Sequence, residues 1–332
     1  MRDKWSSRLI VAGLLLSEKQ IVVLGFVQNN CMIDHRLHVL RVLAARGTVN
    51  GAAATLNYTP SAVSHQIRGL AEELGVTLLA KEGRGVRLTP AARLLLARAD
   101  ELFARWEEIR AELAEPGDRS IGTLRLCGFS TAAATLLPYV VAPLRAIDPH
   151  CTVRIVEADP LECFDLLLTD GADVAVVVAT PSLPPTGDPR FDQQPLLDDR
   201  LELLVPAGHP LASRRSVLLR EAANEPWVLD RPGRSYHQLV QTACAAAGFT
   251  PAVAHEASEW ETGAALVGEG LAVALVPRLA RLPPGYPVAR VPLRGNPTPA
   301  RHILTCVRRG SRNQHAIAAA LAALEQIASR HR

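Results

Sequence analysis

The most informative stretch of this sequence reads Pro60-Ser61-Ala62-Val63-Ser64-His65-Gln66-Ile67-Arg68-Gly69-Leu70. Its apolar residues recur every three to four positions, which is the spacing of one face of an α-helix. Thr59 can cap the first turn, and Pro60 suits the first helical position, where its missing N–H costs nothing. The spacing therefore predicts a helix that ends at Gly75 and has two chemically different faces.

The two faces of this helix predict different roles. The inward face is apolar and consists of Ala62, Val63, Ile67, Leu70 and Leu74. The outward face carries small hydroxyl groups and basic groups, at Ser61, Ser64, His65 and Arg68. A helix in the major groove of DNA needs this combination, because short polar groups reach base edges and basic groups bind phosphates. The alternative is a solvated helix face without a partner.

The flanking segments complete a compact pattern. A helix with an apolar face is predicted from Asp34 to Gly47, and Asn50 can cap a short helix over 51–56 that precedes a tight turn at 57–59. After the outward-facing helix, basic residues alternate with glycine in a hairpin-like wing that contains Lys81, Gly83, Arg84, Gly85 and Arg87. Residues 32–90 hold seven Lys or Arg and four Asp or Glu, a local charge of +3 that suits a polyanion.

A long helix is predicted over residues 90–115, between Pro90 and Pro116-Gly117. Its apolar residues alternate in spacings of three and four, at Ala92, Leu95, Ala99, Leu102, Trp106, Ile109 and Leu113. A seam of this kind sustained for three heptads predicts a partner helix. The alternative is a helix that packs against its own domain, which the flank at Leu94 and Leu96 leaves open.

After Asp118 the sequence changes to short apolar runs that alternate with helical segments. Strands are predicted at 124–129, 152–157, 174–178, 201–205, 227–230, 252–256, 272–276 and 303–307. Helices are predicted at 132–147, 161–168, 235–248, 258–269 and 313–330. This alternation predicts an α/β fold with open sheets, and the length suits two lobes with a cleft between them. The strand ends then predict a ligand site at Ser130 and Thr131, where a helix start suits an anion, and at Asp230 and Arg231 in the other lobe.

The block from Leu37 to Leu96 resembles the N-terminal domain of LysR-type transcriptional regulators. The matching phrases are Gly47-Thr48-Val49-Asn50-Gly51-Ala52-Ala53-Ala54-Thr55-Leu56, Pro60–Ile67, Glu72-Glu73-Leu74-Gly75-Val76, Leu78-Leu79 and Gly83–Ala91. The remainder resembles the family's effector domain more loosely, through Pro206–Ala212 and Val267–Pro277. The resemblance extends from about Ile33 to Arg330. The sequence departs from it in the N-terminal extension and in Leu79-Ala80-Lys81, which replaces the usual Phe-Glu-Arg phrase.

The resemblance implies an N-terminal winged helix-turn-helix, a long linker helix that dimerises, and a two-lobed α/β effector domain of periplasmic-binding-protein type. It divides the chain into residues 32–90, 91–118 and 119–332, with lobe one at 120–195 and 292–332 and lobe two at 196–291. The implied DNA contacts are Pro60, Ser61, Ser64, His65, Arg68, Arg84 and Arg87. The implied partners are double-stranded promoter DNA, a small-molecule effector and further copies of the chain in a dimer or tetramer. RNA polymerase is an additional partner that this role allows, whereas no metal, cofactor or membrane is expected.

Composition limits the other classes of function. The chain has 332 residues, of which 48% are hydrophobic and 21% charged, as in ordinary globular proteins. Aromatic residues make up only 4%, which argues against a single-strand binder built on base stacking. The six cysteines form no C-x-x-C pair and predict reduced core residues of a cytoplasmic protein, with a redox sensor as the alternative. Residues 1–31 lack a signal-peptide cleavage site and predict a poorly ordered extension before a natural start at Met32.

One enzymatic alternative follows from Gly128-Phe129-Ser130-Thr131-Ala132. This phrase lies at a predicted strand-to-helix turn and approaches the G-x-S-x-G elbow of α/β-hydrolases, although its last glycine is absent. Ser130 would then be the nucleophile, with a histidine supplied by His237, His255 or His302. None of these histidines lies in a supporting motif, so a regulator without catalytic residues is the favoured prediction.

Overall fold

The computed structural model describes residues 33–82, 85–113 and 120–331, so the extension predicted over 1–31 lies outside the described residues. Within them the chain begins with a helical region that includes one small hairpin. Its elements are α1 (His35–Arg46), α2 (Val49–Leu56), α3 (Pro60–Leu74), β1 (Leu79–Glu82), β2 (Gly85–Leu88) and α4 (Pro90–Glu112). The order matches the predicted winged helix-turn-helix followed by a long helix, which we call the linker helix.

Side-chain caps fix the start of each of these helices. Thr59 caps α3 as predicted, because its hydroxyl accepts a hydrogen bond from the Ala62 N–H at 3.2 Å. The prediction that Asn50 caps α2 is wrong: Thr48 is extended and its hydroxyl accepts from the Gly51 N–H at 3.0 Å. Asn50 therefore lies inside the helix, which begins two residues earlier than expected.

The predicted inward face of α3 is largely confirmed. Val63, Ile67 and Leu70 are each at most 3% exposed and pack against α1 and α2. Leu74 is 46% exposed, so its predicted burial is wrong. The reason is position, since Leu74 is the last helical residue before the αL conformation of Gly75 and lies beyond the core.

The second region is mixed α/β. Its first elements are β3 (Thr123–Gly128), α5 (Ser130–Thr135), α6 (Leu137–Ile147), β4 (Thr152–Glu157), α7 (Pro160–Leu168), β5 (Val174–Val178) and β6 (Phe191–Pro206). They are followed by a 3₁₀ turn (Leu219–Ala222), β7 (Pro226–Leu229), α8 (Ser235–Ala246), β8 (Ala252–Glu256), α9 (Trp260–Gly268), β9 (Ala274–Pro277), β10 (Val288–Pro292), β11 (Ala300–Arg308) and α10 (His315–Ser329). The single helix predicted over 132–147 is two helices, because the chain breaks at Leu136 just before Pro138.

One curved sheet connects the whole α/β region. Its strand order is β10-β6-β11-β5-β3-β4, and β9 also pairs with β6. Strands β4, β3 and β5 are parallel, whereas β11, β6, β9 and β10 are joined by antiparallel pairs. A separate parallel pair, β7 with β8, completes the second lobe. The sheet is therefore mixed. Its 16-residue strand β6 pairs with β11 at one end and with β9 and β10 at the other, and so runs from one lobe into the other.

Packing divides this region into two lobes a few residues later than the sequence predicts. Leu196 and Leu197, expected in lobe two, lie in the core of lobe one, whereas Leu201 lies in the core of lobe two. On the return, Leu293 packs in lobe two and Ile303 in lobe one, so the chain crosses between these two residues, after the boundary predicted between residues 291 and 292. The difference arises because both crossings occur within or beside long paired strands, which carry no local boundary signal.

Candidate nucleic-acid interface and inter-lobe cavity

The outer face of α3 presents polar groups to solvent. We call Pro60, Ser61, Ser64, His65 and Arg68 the reading face, as predicted from the sequence. All are exposed except Ser64, which is partly buried. The side chains of His65 and Arg68 make no hydrogen bond or ion pair with any described residue. They are therefore free to bind an external group.

The two serines of the reading face are engaged in local hydrogen bonds. The Ser64 hydroxyl donates to the Pro60 carbonyl at 2.9 Å, and the Ser61 and Thr59 hydroxyl oxygens are 3.0 Å apart. Both bonds lie within the first turns of the helix, where an incoming base edge or phosphate can replace them. The two serines are thus held by local hydrogen bonds that a ligand can replace.

The wing follows the reading face as an antiparallel hairpin in which Ala80 faces Arg87. Arg87 is exposed, and its guanidinium lies 3.7 Å from the Glu82 carboxylate. Exposed ion pairs of this length contribute little, so Arg87 remains available to a phosphate. Arg84, the other predicted wing contact, lies outside the described residues.

Two further contacts hold α3 at a fixed angle to the rest of the N-terminal region. Arg36 of α1 bridges the Asp34 and Glu73 carboxylates, each at 2.5 Å. The Thr89 hydroxyl donates to the Thr77 carbonyl at 2.6 Å and also caps the linker helix. Sequence reasoning missed the Arg36–Glu73 contact, because residues 37 positions apart give no periodic signal.

A cavity of about 640 Å³ lies between the two lobes. Lobe one contributes Ser130, Thr131 and Asp159, and lobe two contributes Asp230 and Arg234. The cavity is thus bordered by the carboxyl ends of β3, β5 and β7, the usual place for a ligand in open α/β sheets. Arg231, also predicted to bind the effector, is exposed and does not line the cavity.

The first-lobe wall begins at α5. Phe129 is the N-cap of this helix and Ser130 its first residue, so Ser130 does not cap the helix. Thr131 is 4% exposed and lines the cavity, yet its hydroxyl makes no hydrogen bond to any described residue. A cavity-lining hydroxyl without an internal partner is available to a ligand, which makes Thr131 a candidate for ligand contact.

A buried ion pair forms the floor of the cavity, where the chain crosses between lobes. Both the Nε and Nη2 of Arg301 donate to Asp199 Oδ2, at 3.1 and 2.5 Å, and the second oxygen accepts from the Leu279 N–H at 2.9 Å. Arg301 and Asp199 are 5% and 2% exposed. The ion pair joins strands β6 and β11 here. The Arg301 guanidinium also lies 5.0 Å from the Phe129 ring centre.

The second-lobe wall is organised around Asp230, which is buried. Its Oδ1 accepts from the Arg231 N–H and the Ser258 hydroxyl, both at 2.7 Å. Its Oδ2 lies 3.2 Å from the Arg234 Nε, and Arg234 Nη2 lies 3.7 Å from Asp159 of lobe one. Arg234 therefore joins the two lobes across the cavity and lines it, whereas Arg231, which the sequence had placed at the effector site, does not.

The hydrolase alternative requires a histidine beside Ser130. His237 Nδ1 lies 2.6 Å from the Asp230 carbonyl oxygen, and His302 Nδ1 lies 2.7 Å from Asp198 Oδ1. Neither these two nor His255 forms a hydrogen bond with the Ser130 side chain. The geometry expected of an activated serine is therefore missing at Ser130 among the described residues.

The cysteines of the described chain are buried thiols, at positions 127, 151, 163, 244 and 306. Burial raises the pKa of Cys244 to about 12, and it raises the pKa of Cys306 well above the ordinary thiol value. The side-chain interaction with Cys127, together with burial, also raises the pKa of Cys163. Since the thiolate is the reactive species, these three thiols are chemically quiet. The described part of the chain also brings together no three His, Cys, Asp or Glu side chains able to hold a metal ion.

The linker helix has two opposed faces. One contacts lobe one through Glu107 and through Ala104, which lies against Gly310. The other face carries Leu102 and Leu113, which are 55% and 71% exposed. At about 100° per residue, these two side chains lie on roughly the opposite side of the helix from Ala104. The N-terminal part of the predicted seam packs on its own domain, since Ala92 and Ala99 are buried. No helix among the described residues is both long and apolar enough to cross a membrane.

Comparison with known proteins matches both regions. Residues 35–93 match the family of bacterial regulatory helix-turn-helix proteins of the lysR type, and residues 117–329 match the LysR substrate binding domain. The transcriptional dual regulator GltC of Bacillus subtilis is 29% identical over 243 residues, which cover 73% of this chain and 79% of GltC. The transcriptional regulator GltR of the same organism is 27% identical over 242 residues, covering 73% and 78%.

Solved structures share the fold. A full-length OxyR variant from Pseudomonas aeruginosa has a TM-score of 0.60 at 22% identity and covers 89% of this chain and 95% of its own. HinK, a LysR family transcriptional regulator from the same organism, has a TM-score of 0.55 at 23% identity, covering 88% and 98%. These identities support the architecture alone. The sequence relatives and both family models are transcriptional regulators rather than enzymes.

Proposed function

The chain belongs to the LysR family of bacterial transcriptional regulators, and from this premise we propose that the reading face and wing select its promoter site while a small molecule in the inter-lobe cavity sets the output. The proposal of promoter selection rests on the exposure of His65 and Arg68 and on their lack of partners within the described chain. Both are exposed on a helix whose opposite face is buried, and neither has a partner among the described residues. They can bind bases or phosphates without breaking an existing contact.

The proposed DNA contact combines two kinds of residue. Pro60, Ser61 and Ser64 lie in the first turns of α3, where a reading helix approaches base edges. Arg68, Arg84 and Arg87 supply charge for phosphates on either side. Assembly would bring two such surfaces together through the exposed stripe of the linker helix, in a dimer or tetramer, and a bound regulator of this kind could contact RNA polymerase. Since its target is chromosomal DNA, we assign its site of action to the cytoplasm.

The observation that carries the second half is the cavity itself. Its walls come from both lobes, so a ligand that contacts both can favour one closure angle through its differential affinity for it. Thr131 and Asp230 are the buried residues that we assign to effector contact, together with Ser130, which is exposed and also lines the cavity. The linker helix contacts lobe one directly and provides the path to the DNA-binding region.

The test is a selection of duplexes from a random library by the full-length protein, followed by gel-shift titration of the enriched sequence. We expect Arg68→Ala to lower the affinity for enriched and random DNA alike, because it removes a phosphate contact. Arg220→Ala, which removes an exposed arginine in lobe two, is the matched control and should bind normally. Failure to enrich any sequence, or normal binding by Arg68→Ala, would contradict the proposed interface.

A further inference from the structure

The walls of the inter-lobe cavity carry more acidic than basic side chains. Among the described residues, five carboxylates line it, at Glu157, Asp159, Glu162, Asp230 and Glu259. The lining arginines are Arg234 and Arg301, and His302 is the lining histidine. Carboxylates come from both lobes, so the surplus of negative charge belongs to the cleft as a whole and to neither lobe alone.

The basic groups are already paired within the protein. Arg301 is neutralised by Asp199 in the buried pair at the floor, and Arg234 lies between Asp230 and Asp159. His302 lies against Asp198. We call Glu157, Glu162 and Glu259 the carboxylate rim, since these three exposed side chains form no ion pair with any described residue. The unbalanced charge of the cleft is therefore negative.

Two features of the same cavity indicate a ligand independently of this charge. The first is Thr131, a 4% exposed residue that lines the cavity and whose hydroxyl has no hydrogen-bond partner among the described residues. The second is an aromatic wall, in which the Tyr236 and Trp260 rings meet edge to face with their centres 5.0 Å apart. Aromatic faces attract cations, because the ring quadrupole is negative above and below its plane.

The anionic effector expected from the sequence has weaker support in the structure. That expectation rested on the helix start at Ser130 and on Arg231. Helix α5 has only six residues, Arg231 lies outside the cavity, and the arginine at the floor is already matched by a carboxylate. An anion entering the cleft would also approach the carboxylate rim, where like charges repel.

We propose that the effector carries a cationic nitrogen group, an amine or guanidine, which binds among carboxylates from both lobes. This inference rests on the proposed function of the cavity. Arg234 already shows the arrangement, since its guanidinium lies between Asp159 of lobe one and Asp230 of lobe two. An effector cation competes with Arg234 for these groups, gains the carboxylate rim, and meets the Tyr236 and Trp260 rings. By contacting both lobes it favours a closed cleft.

The test compares probes that share a skeleton and differ in charge. Phenethylamine, 3-phenylpropionate and 2-phenylethanol form one set, and 1,4-diaminobutane, adipate and 1,4-butanediol form another. Each is titrated into the full-length protein by calorimetry, after a thermal-shift screen at millimolar concentration. We expect at least one amine to bind with a Kd about tenfold or more below those of its anionic and neutral counterparts, the order of magnitude of one charge-assisted hydrogen bond.

Variants locate the binding and separate the outcomes. Glu157→Gln and Glu259→Gln should each weaken amine binding by about tenfold, Arg234→Gln should tighten it by removing the internal competitor, and Glu325→Gln on α10 should leave it unchanged. If no amine binds more tightly than its counterparts, the cationic effector is refuted. If a carboxylate probe binds instead and Thr131→Val weakens it, the cavity remains the effector site and the charge class alone is wrong.

Discussion

Arg308 of β11 and Glu107 of the linker helix form a buried ion pair with 2.6 Å between Arg308 Nε and Glu107 Oε1, although 201 residues separate them in the chain. Gln314 donates to the other Glu107 oxygen at 2.5 Å. The remaining Arg308 nitrogens bind Asp173 and the carbonyls of Leu167 and Ala172. The linker helix is therefore attached to lobe one by a fully partnered charge.

This attachment is tight at Gly310. The residue has φ +86°, in the left-handed region that favours glycine, and a Cβ there would overlap the Ala104 carbonyl oxygen of the linker helix. Glycine thus allows lobe one to approach the helix backbone directly. Because lobe one contacts the backbone of the linker helix at Gly310, a movement of lobe one must also affect the linker helix.

The first prediction concerns this pair. Glu107→Ala should lower the free energy of unfolding by about 3 kcal/mol, because it leaves the buried Arg308 charge without its main partner. Urea unfolding followed by far-UV circular dichroism measures the loss. Glu108→Ala is the control, since Glu108 is exposed and its one ion pair within the described chain is with Arg105, and it should change stability by less than about 1 kcal/mol. Equal effects in the two variants would contradict the assigned attachment.

The second prediction separates base reading from phosphate binding. Ser64→Ala should reduce discrimination between the selected DNA site and random DNA by about 1–3 kcal/mol, since it removes a base contact. Arg87→Ala and Arg84→Ala should weaken both DNAs similarly and lower the slope of log affinity against log salt by about one. Gel shifts at two salt concentrations give both quantities. Unchanged discrimination in Ser64→Ala would remove α3 from the assigned reading role.

The third prediction concerns assembly. Leu102 and Ile109 lie on the linker-helix face that points away from lobe one, and Leu102 is 55% exposed. Replacing both with Asp should yield smaller species in analytical ultracentrifugation, because charges in an apolar helix seam cannot be paired. Ala97→Asp, at an exposed position about 140° around the same helix from Leu102, is the control and should keep the parental size. An unchanged oligomer in the double variant would show that the stripe does not join subunits.

The fourth prediction tests effector sensing by shape-preserving substitution. Thr131→Val keeps the side-chain volume and removes the hydroxyl, so a bound ligand loses a hydrogen bond worth about 1–3 kcal/mol. Promoter output in a reporter strain across candidate metabolites should therefore respond weakly or not at all, while operator affinity without ligand is retained. Ser130→Ala should act in the same direction. Wild-type responses in both variants would place sensing elsewhere.

The fifth prediction follows from the pKa of His38. Burial, with Arg41 and His35 nearby, lowers this pKa to about 4, and the ring packs edge to face on Phe103 of the linker helix. Because the ordinary value is 6.5, the unfolded chain gains a proton before the folded protein does. Stability from this group is full above pH 6.5 and is lost as the pH falls toward 4. Between pH 7 and 4.5, wild type should lose roughly 2 kcal/mol more than His38→Gln in urea unfolding; parallel curves would contradict the assignment.

The sequence by itself determined the N-terminal region, because the signals there are local. The cap at Thr59, the proline at position 60 and the spacing of Val63, Ile67 and Leu70 all lie within one helix, so they predict α3 and its outer face. The family phrases around this helix are equally contiguous. Local periodicity gave a wrong prediction at Leu74, which is exposed although it follows the apolar spacing of α3. Burial there depends on whether another element packs against the end of the helix.

The tertiary structure decided the geometry of the effector region. Pattern reasoning placed a site at the ends of β3 and β7, yet only packing shows that Arg234, and not Arg231, lines the cleft and reaches Asp159 75 residues away. The same holds for Arg301 with Asp199 and Arg308 with Glu107. Helix and turn signals arise from neighbours within about four residues along the chain, whereas each of these ion pairs arises because the fold brings together two elements that are remote in the sequence. Periodicity along a sequence cannot specify such pairings.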